Sequence, residues 1–157
     1  MTSYPTRALK AMVAGKDSYG VPFSGLTGYS YVEDVARMFV LCGQRLRGKQ
    51  TPVSLVFNIR GHVADVTDFV RCVENAVPAA KGKIKVQGKP LIFDPDVDES
   101  GLRGFLGKDF PDRSLQDAVN ATVAVLRANQ ARGVWHTVDI DEDPFAPPKP
   151  LLPVSRL

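Results

Sequence analysis

"SLQDAVNATVAVLRANQARG" (residues 114–133) carries the clearest helical pattern of the 157-residue chain. Ser114 suits the N-cap, where its hydroxyl can accept a hydrogen bond from a free N–H group of the first turn. Asp117 stands where a capping box places its acidic partner, in a weaker form than glutamate. Gly133 is a residue type that ends helices in a left-handed conformation. The segment therefore predicts a long helix that begins after Ser114 and ends at Gly133.

The first residues, "MTSYPTRALKAMVAGK" (1–16), predict another helix. Ser3 or Thr2 can cap it, Pro5 suits its first turn, and Gly15 ends it. Apolar residues recur at the helical spacing along one face: Ala8, Leu9, Met12 and Val13. An apolar face needs a partner, which comes either from the rest of this chain or from a missing segment.

Two more helices are predicted in the first half of the chain. Residues 33–48 predict one of them, and because Val35 to Cys42 is apolar nearly all round except for Arg37, this helix is expected to be mostly buried. Residues 65–77 are amphipathic, and Asp65 or Thr67 can cap them. The predicted apolar face of this helix consists of Phe69, Val70, Val73, Ala76 and Val77.

Five segments have the composition of strands. Residues 18–25 and 28–32 combine aromatic and β-branched residues between glycine and proline, and they predict short strands. Residues 53–61 (VSLVFNIRG) form an apolar run typical of an interior strand. Residues 83–86 and 89–93 predict edge strands. The alternation of helices and strands indicates the α/β class.

Bulk composition is that of an ordinary globular domain. The chain is 44% hydrophobic and 24% charged, with a formal net charge of +3. This weak and dispersed charge argues against nucleic acid as a partner. No apolar run is long enough for a membrane span, and the N-terminus lacks the pattern of a signal peptide. Cys42 and Cys72 have no metal-ligand spacing, so we expect reduced core thiols in a cytoplasmic protein.

Two apparent motifs are assigned structural roles. "GLRGFLG" (101–107) has the glycine spacing of some dinucleotide-binding loops, but the acidic residues 94–100 precede it and Pro111 follows it. A cofactor loop needs an apolar strand before the glycines and a helix that opens within them, so we predict a glycine-rich turn. His62 and His136 have no partners at metal-ligand spacing, and no metal site is predicted.

Charge clusters are likewise interpreted as structural. Glu33 and Asp34 lie in the first turn of a predicted helix, whereas Asp98 and Glu99 are assigned to a solvated loop. A lysine series could form either a phosphate-binding ribbon or an edge strand protected from aggregation, and the edge strand is favoured. Its members are Lys81, Lys83, Lys85 and Lys89.

The last part of the chain has a different composition. From Asp139 onward it contains five prolines, which predict an extended or disordered arm over residues 139–157. Residues 1–138 are then a single domain.

Four segments in this domain occur in a recognisable order: 6–25, 28–41, 56–73 and 110–127. The series resembles the C-terminal part of extended short-chain dehydrogenases, the NAD-dependent epimerase/dehydratase family. "YVEDVAR" (31–37) resembles the family's aromatic-Val-x-Asp-Val-Ala segment. The match covers roughly Thr2 to Val138. It implies a fragment of a Rossmann-type enzyme, mainly its substrate lobe, with a few strands and about four helices. Met1 would then correspond to an internal position of such an enzyme.

The resemblance also implies what this chain lacks. The family binds NAD or NADP with an N-terminal glycine-rich loop and transfers protons with a Tyr-x-x-x-Lys pair. The residues four positions after the four tyrosines are Ala8, Phe23, Glu33 and Val35. Neither the catalytic pair nor the cofactor loop is therefore present, and we expect no tight NAD or NADP binding to this chain alone. Thr27 stands near the position where nucleotide-sugar members carry an arginine, which favours a smaller sugar acid or polyol.

Two hypotheses follow from the resemblance. In the first, the chain is the substrate-binding part of an oxidoreductase or epimerase acting on a sugar-like small molecule. Its candidate substrate contacts are Ser3, Thr6, Ser24 and, for an anionic substrate, Arg103. In the second, the chain is a non-catalytic module that docks on a Rossmann-domain partner or forms a homodimer through an exposed apolar surface. A phosphate- or nucleic-acid-binding protein is disfavoured because aromatic residues do not alternate with the lysines.

Overall fold

The computed structural model describes residues 4–47 and 54–134. Within these ranges the chain is mixed α/β, with five α-helices and four short strands. Two short 3₁₀ turns follow α3 and α4. The elements are α1 (Tyr4–Val13), β1 (Tyr19–Val21), β2 (Leu26–Tyr29), α2 (Val32–Leu46), β3 (His62–Asp65), α3 (Val66–Ala76), β4 (Ile84–Val86), α4 (Ser100–Leu106) and α5 (Leu115–Ala131).

The described strands form two separate two-stranded sheets. β1 pairs with β4 in parallel, with Tyr19 opposite Ile84. β2 pairs with β3 antiparallel, with Tyr29 opposite His62. The α/β class predicted from the sequence is confirmed, and β1 and β4 lie within the strands predicted at 18–25 and 83–86. The strand predicted at 28–32 is confirmed only at Gly28 and Tyr29, because β2 begins earlier and Val32 is already the first residue of α2.

The main core lies where α1, α3 and α5 pack together. α5 buries Leu115, Val119, Val123 and Leu126, which recur at helical spacing along one face. At the centre, the ring of Phe69 is 1% exposed and stacks on Tyr29, with ring centroids 5.1 Å apart. The predicted helices α1 and α5 therefore supply each other's apolar partners, and α5 also packs against α3.

The predicted helix caps are present in the structure. The Ser114 hydroxyl oxygen accepts a hydrogen bond from the backbone N–H of Asp117 at 3.1 Å and donates to the Asp117 carboxylate at 2.6 Å. Asp65 caps α3 by accepting from the backbone N–H of Thr67 at 2.8 Å. Gly15 and Gly133 follow α1 and α5 with φ of 77° and 70°, the left-handed region that glycine favours.

A second apolar cluster corrects the prediction for residues 101–107. They belong to helix α4 rather than to a turn, because Leu102 and Leu106 lie on one face and bury against Met38 of α2. Arg45 of α2 also donates to the carbonyl of Phe105 and pairs with Asp109 at 2.6 Å. α4 makes the described helix count five, where about four were expected.

Helix α2 is less buried than predicted. Met38 is its fully buried residue, whereas Val32, Phe39 and Val40 are exposed. The reason is that the main described contact of α2 is with α4 and its cluster, which covers one side of the helix and leaves Val32, Phe39 and Val40 exposed. Periodicity counts apolar residues, but it does not show whether a partner lies against them.

The interior strand predicted at 53–61 is wrong over its described part. Residues 54–60 are irregular, and β3 begins only at His62. Phe57 and Ile59 pack against the second apolar cluster, while Val56 is 92% exposed. The Asn58 side chain donates to the carbonyl of Asp98 at 3.0 Å. Residues 54–60 are therefore held by side-chain contacts, including one with the acidic segment 94–100, and they do not pair with a neighbouring strand.

The edge strand predicted at 89–93 is also wrong. Pro90 forms a single bridge to Ser24, and the next three residues, Leu91, Ile92 and Phe93, are exposed and unpaired in the sheets described. Proline has no N–H group to donate to a ladder, which limits pairing at this point.

Cys42 and Cys72 are both free and half-buried, as expected for reduced thiols. None of the helices in residues 4–47 and 54–134 is long and apolar enough to cross a membrane. The predicted arm at 139–157 and His136 lie outside the described residues.

The central position of Phe69 yields a stability prediction. Phe69→Ala should lower the free energy of unfolding by about 3–5 kcal/mol, because it removes a buried ring and leaves a cavity. The matched control is Phe93→Ala, whose ring is 72% exposed, and it should change stability by less than about 0.5 kcal/mol. Urea unfolding followed by circular dichroism measures both, and equal losses would contradict this description of the core.

Candidate functional site

A cleft of about 900 Å³ opens beside the main core. One wall is formed by α1 and α5, and the other by the β2–α2 connection and the loops on either side of α4. Its floor is apolar and is formed by core residues, including Leu9, Met38, Phe69, Val119 and Leu126. Its rim carries arginines and carboxylates.

The structure places the sequence-predicted site residues in different locations. Thr6 and Arg103 both line the cleft, although they are far apart in sequence. Ser24 lies outside this lining, and its hydroxyl donates to the carbonyl of Gly88 at 3.1 Å. Ser3 lies outside the described residues. His62, assigned no role from the sequence, also lines the cleft, at the start of β3.

Glu99 organises the charged end of the rim. It is 5% exposed and is the N-cap residue of α4. Its Oε1 accepts from Nε of Arg103 at 2.9 Å and lies 3.7 Å from Nε of Arg60. Its Oε2 accepts from the backbone N–H of Arg60 at 3.4 Å. One buried carboxylate therefore holds two guanidinium groups.

Each of these guanidiniums has a second, outer carboxylate. Nη1 of Arg60 pairs with Asp96 at 2.9 Å, and Nη2 of Arg103 lies 3.8 Å from Asp112. The guanidinium of Arg103 also lies over the ring of Phe110, 4.2 Å from its centroid. Cation–π contact of this kind fixes the plane of the group as well as its position.

A third arginine of the rim, Arg113, forms a separate ion pair. Arg113 binds Asp34 in a two-point contact, with Nε–Oδ2 at 2.8 Å and Nη2–Oδ1 at 3.2 Å. Its guanidinium lies 4.7 Å from the ring centroid of Tyr31. This pair joins the start of α2 to the segment before α5.

The charged lining is acidic on balance. Three guanidiniums, of Arg60, Arg103 and Arg113, face five carboxylates. The carboxylates belong to Glu33, Asp34, Asp96, Glu99 and Asp112. These groups carry a formal excess of two negative charges. Every guanidinium of this lining already contacts a carboxylate, so none presents an uncompensated positive charge to a ligand.

A tyrosine pair underlies the cleft. The hydroxyls of Tyr4 and Tyr29 are hydrogen-bonded at 2.6 Å, and the ring of Tyr4 meets that of Phe23 edge to face. Burial raises the pKa of Tyr4 to about 12. Burial, together with the hydrogen bond between the two hydroxyls, raises the pKa of Tyr29 far above its usual value. Both hydroxyls are therefore neutral donors and acceptors rather than bases.

Sequence reasoning missed most of this site. Glu99 was assigned to a solvated loop, yet it is buried and paired. The signal was its spacing of four residues from Arg103, which places two charges on one helix face. That signal is usable only if residues 100–106 are recognised as helical. The contact between Asp34 and Arg113 spans 79 positions, and no local pattern indicates it.

The described residues contain no group of three or more histidine, cysteine or acidic side chains arranged to hold a metal ion. Comparison with known protein families, curated proteins and solved structures finds no match to this chain.

The tyrosine pair predicts a stability loss at alkaline pH. Unfolded tyrosines ionise near pH 10, whereas folded Tyr4 ionises only near 12. The contribution of Tyr4 to the free energy of unfolding is therefore complete below pH 10 and is lost as the pH rises through about 12. The free energy of unfolding should therefore fall above pH 10, and Tyr4→Phe with Tyr29→Phe should flatten the fall. Tyr31→Phe is the comparison: the pKa of Tyr31 is also raised, chiefly by burial, but by less than in the hydrogen-bonded pair, so this variant should flatten the fall less. Urea unfolding at several pH values above and below 10 measures the free energy of unfolding. If its fall with pH is the same in the double variant as in the unmodified protein, the assignment of that fall to Tyr4 and Tyr29 is refuted.

Proposed function

We propose that this chain is the substrate-binding part of an NAD(P)-dependent epimerase/dehydratase-like oxidoreductase or epimerase, and that it takes a sugar or similar polyol into the cleft. The observation that carries the proposal is the cleft itself, about 900 Å³ in volume, with an apolar floor and a rim of paired guanidiniums and carboxylates. Concave sites of this size, with a few convergent polar groups, are the usual form of small-molecule sites. Thr6 and Arg103, expected as substrate contacts, both lie on its lining.

The charge of the rim favours an uncharged ligand. Carboxylates accept hydrogen bonds from hydroxyl groups, and guanidiniums donate to them. A ligand with several neighbouring hydroxyls can use both kinds of group without displacing an ion pair. An anionic ligand would instead meet a formal excess of two negative charges. Among the expected substrates, a neutral sugar or polyol is therefore favoured over a sugar acid.

The described residues do not fit a dinucleotide cofactor. The glycines of residues 101–107 lie in and at the end of α4, a helix of seven residues. The segment before it contains Asp94, Asp96 and Asp98, which would repel a pyrophosphate. In the family that the sequence resembles, NAD or NADP supplies the hydride-transfer chemistry. We therefore propose that this chain binds and orients substrate and does not complete the reaction alone.

A second candidate function is a non-catalytic module that docks on a Rossmann-type chain or on a second copy. Its support is the apolar side of α2, where Val32, Phe39 and Val40 are exposed. Contiguous exposed apolar groups of this kind are typical of interaction surfaces. A concentration-dependent change in mass by analytical ultracentrifugation, abolished by Phe39→Ser, would favour this alternative.

The substrate proposal predicts ligand binding in the cleft. D-Glucose, used as a neutral polyhydroxyl probe, should shift the amide resonances of Thr6 and Arg103 in a nuclear magnetic resonance titration and leave Ser24 unchanged. Ala118→Trp should abolish the shifts, because Ala118 lines the cleft and an indole would fill it. Ala124→Trp is the matched control, since it lies on the exposed side of the same helix. Absence of binding to the unmodified chain, or equal effects of both variants, would overturn the proposal.

The cofactor part of the proposal has its own measurement. Calorimetric titration with NAD, NADP and their reduced forms should give no saturable heat, because the described chain offers no cradle for the pyrophosphate. Stoichiometric binding of any of the four would contradict it.

A further inference from the structure

We propose that Glu99 is the specificity-determining residue of the cleft, and that it excludes anionic ligands by holding Arg60 and Arg103 out of use. The inference rests on the proposed function, since it concerns which polyhydroxyl ligands the same site accepts. Glu99 is a positioning residue in this scheme, because it acts on the ligand through the two arginines.

The first step is the burial of Glu99. An ionised carboxylate with 5% exposure is strongly destabilising unless it is paired and hydrogen-bonded. Arg103 supplies two close contacts to its Oε1, at 2.9 Å from Nε and 2.8 Å from Nη2. Because water cannot replace these contacts inside the protein, Glu99 cannot release Arg103 as a surface carboxylate could.

The second step concerns Arg60. Its Nε is buried and makes no hydrogen bond within the described residues, and it lies 3.7 Å from Oε1 of Glu99. The attraction of Glu99 is thus shared between the two guanidiniums. Arg60 is also held through its backbone N–H, which donates to the other Glu99 oxygen at 3.4 Å. Arg103 therefore cannot turn to face an incoming anion without leaving buried Glu99 with only the more distant guanidinium of Arg60, and Arg60 cannot turn without weakening the compensation of the same charge.

The third step is the contrast with the outer carboxylates. Asp96 and Asp112 have exposed side chains, 65% and 87%, so water compensates them when a ligand takes their place. A ligand carboxylate could displace these two groups, but it could not displace Glu99. On the lining of the cleft at this end, the guanidiniums of Arg60 and Arg103 face the three carboxylates of Asp96, Glu99 and Asp112, and removing the charge of Glu99 would balance them. The discrimination against anions consequently depends on the one carboxylate that is buried.

The test uses two probes that share a ring and differ by one carboxylate, D-glucose and D-glucuronate. Unmodified protein should bind D-glucose more tightly. Glu99→Gln should raise the ratio of D-glucuronate to D-glucose affinity by about tenfold, a value towards the lower end of what the loss of one nearby charge contributes at a protein surface. Asp98→Asn is the control, because it removes the same charge from the adjacent exposed residue and should leave the ratio within about twofold.

The outcomes separate the two proposals. If unmodified protein binds neither probe, the proposed function fails and this inference fails with it. If it binds D-glucose and the Glu99→Gln ratio is unchanged, or matches that of Asp98→Asn, the role of Glu99 is refuted while the proposed function stands. If Glu99→Gln does not fold, as judged by circular dichroism, the double variant Glu99→Met with Arg103→Met removes the buried pair together. This double variant leaves the local excess of one negative charge unchanged, so a rise in the ratio would report the release of Arg60 from Glu99 alone, and no rise would also refute the role.

Discussion

The rest of the molecule depends on the apolar contact of α5 with α1 and α3. The two sheets have two strands each, and isolated pairs of this length are marginally stable in water. β1 and β4 are therefore held by the helices beside them, through Tyr19, Val21 and Ile84, which belong to the same core as Phe69. The cleft is a further product of this packing, since its floor is the outer surface of that core. Polar groups on the rim are placed by elements that the core fixes.

Polar contacts act together with the second apolar cluster to hold residues 94–113. This region contains no described strand and one helix of seven residues, and hydrogen bonds and ion pairs connect it to the rest of the molecule. Arg60, Asn58 and Arg45 contact it from earlier segments, and Arg113 extends from its end to Asp34. Exposed pairs of this kind contribute little stability individually. Their effect here is geometric, because they set where the rim lies relative to the core.

The elements that the sequence predicted correctly are those determined locally. α1, α3 and α5 each combine an apolar face with end residues such as Asp65, Ser114 and Gly133, and all of that information lies within one segment. The failures depend on partners distant in sequence. Residues 54–60 have strand composition, but their side chains pack on α4 and the acidic loop instead of joining a ladder. The cleft was predicted only through Thr6 and Arg103, because the burial of Glu99 follows from the tertiary arrangement. The Rossmann-type context remains a prediction from the resemblance.

The parallel pairing of β1 with β4 has a consequence for how the chain folds. Tyr19 and Ile84 are adjacent in the sheet but 65 positions apart in sequence. Joining them closes a long loop, and the entropy lost in closure is compensated only when later contacts form. Contacts between such distant positions slow folding relative to those within a helix. The antiparallel pairing of β2 with β3 also spans α2, so each sheet closes a longer loop than any helical contact does. We therefore expect the helices and their caps, which need only local contacts, to form before these distant strands pair.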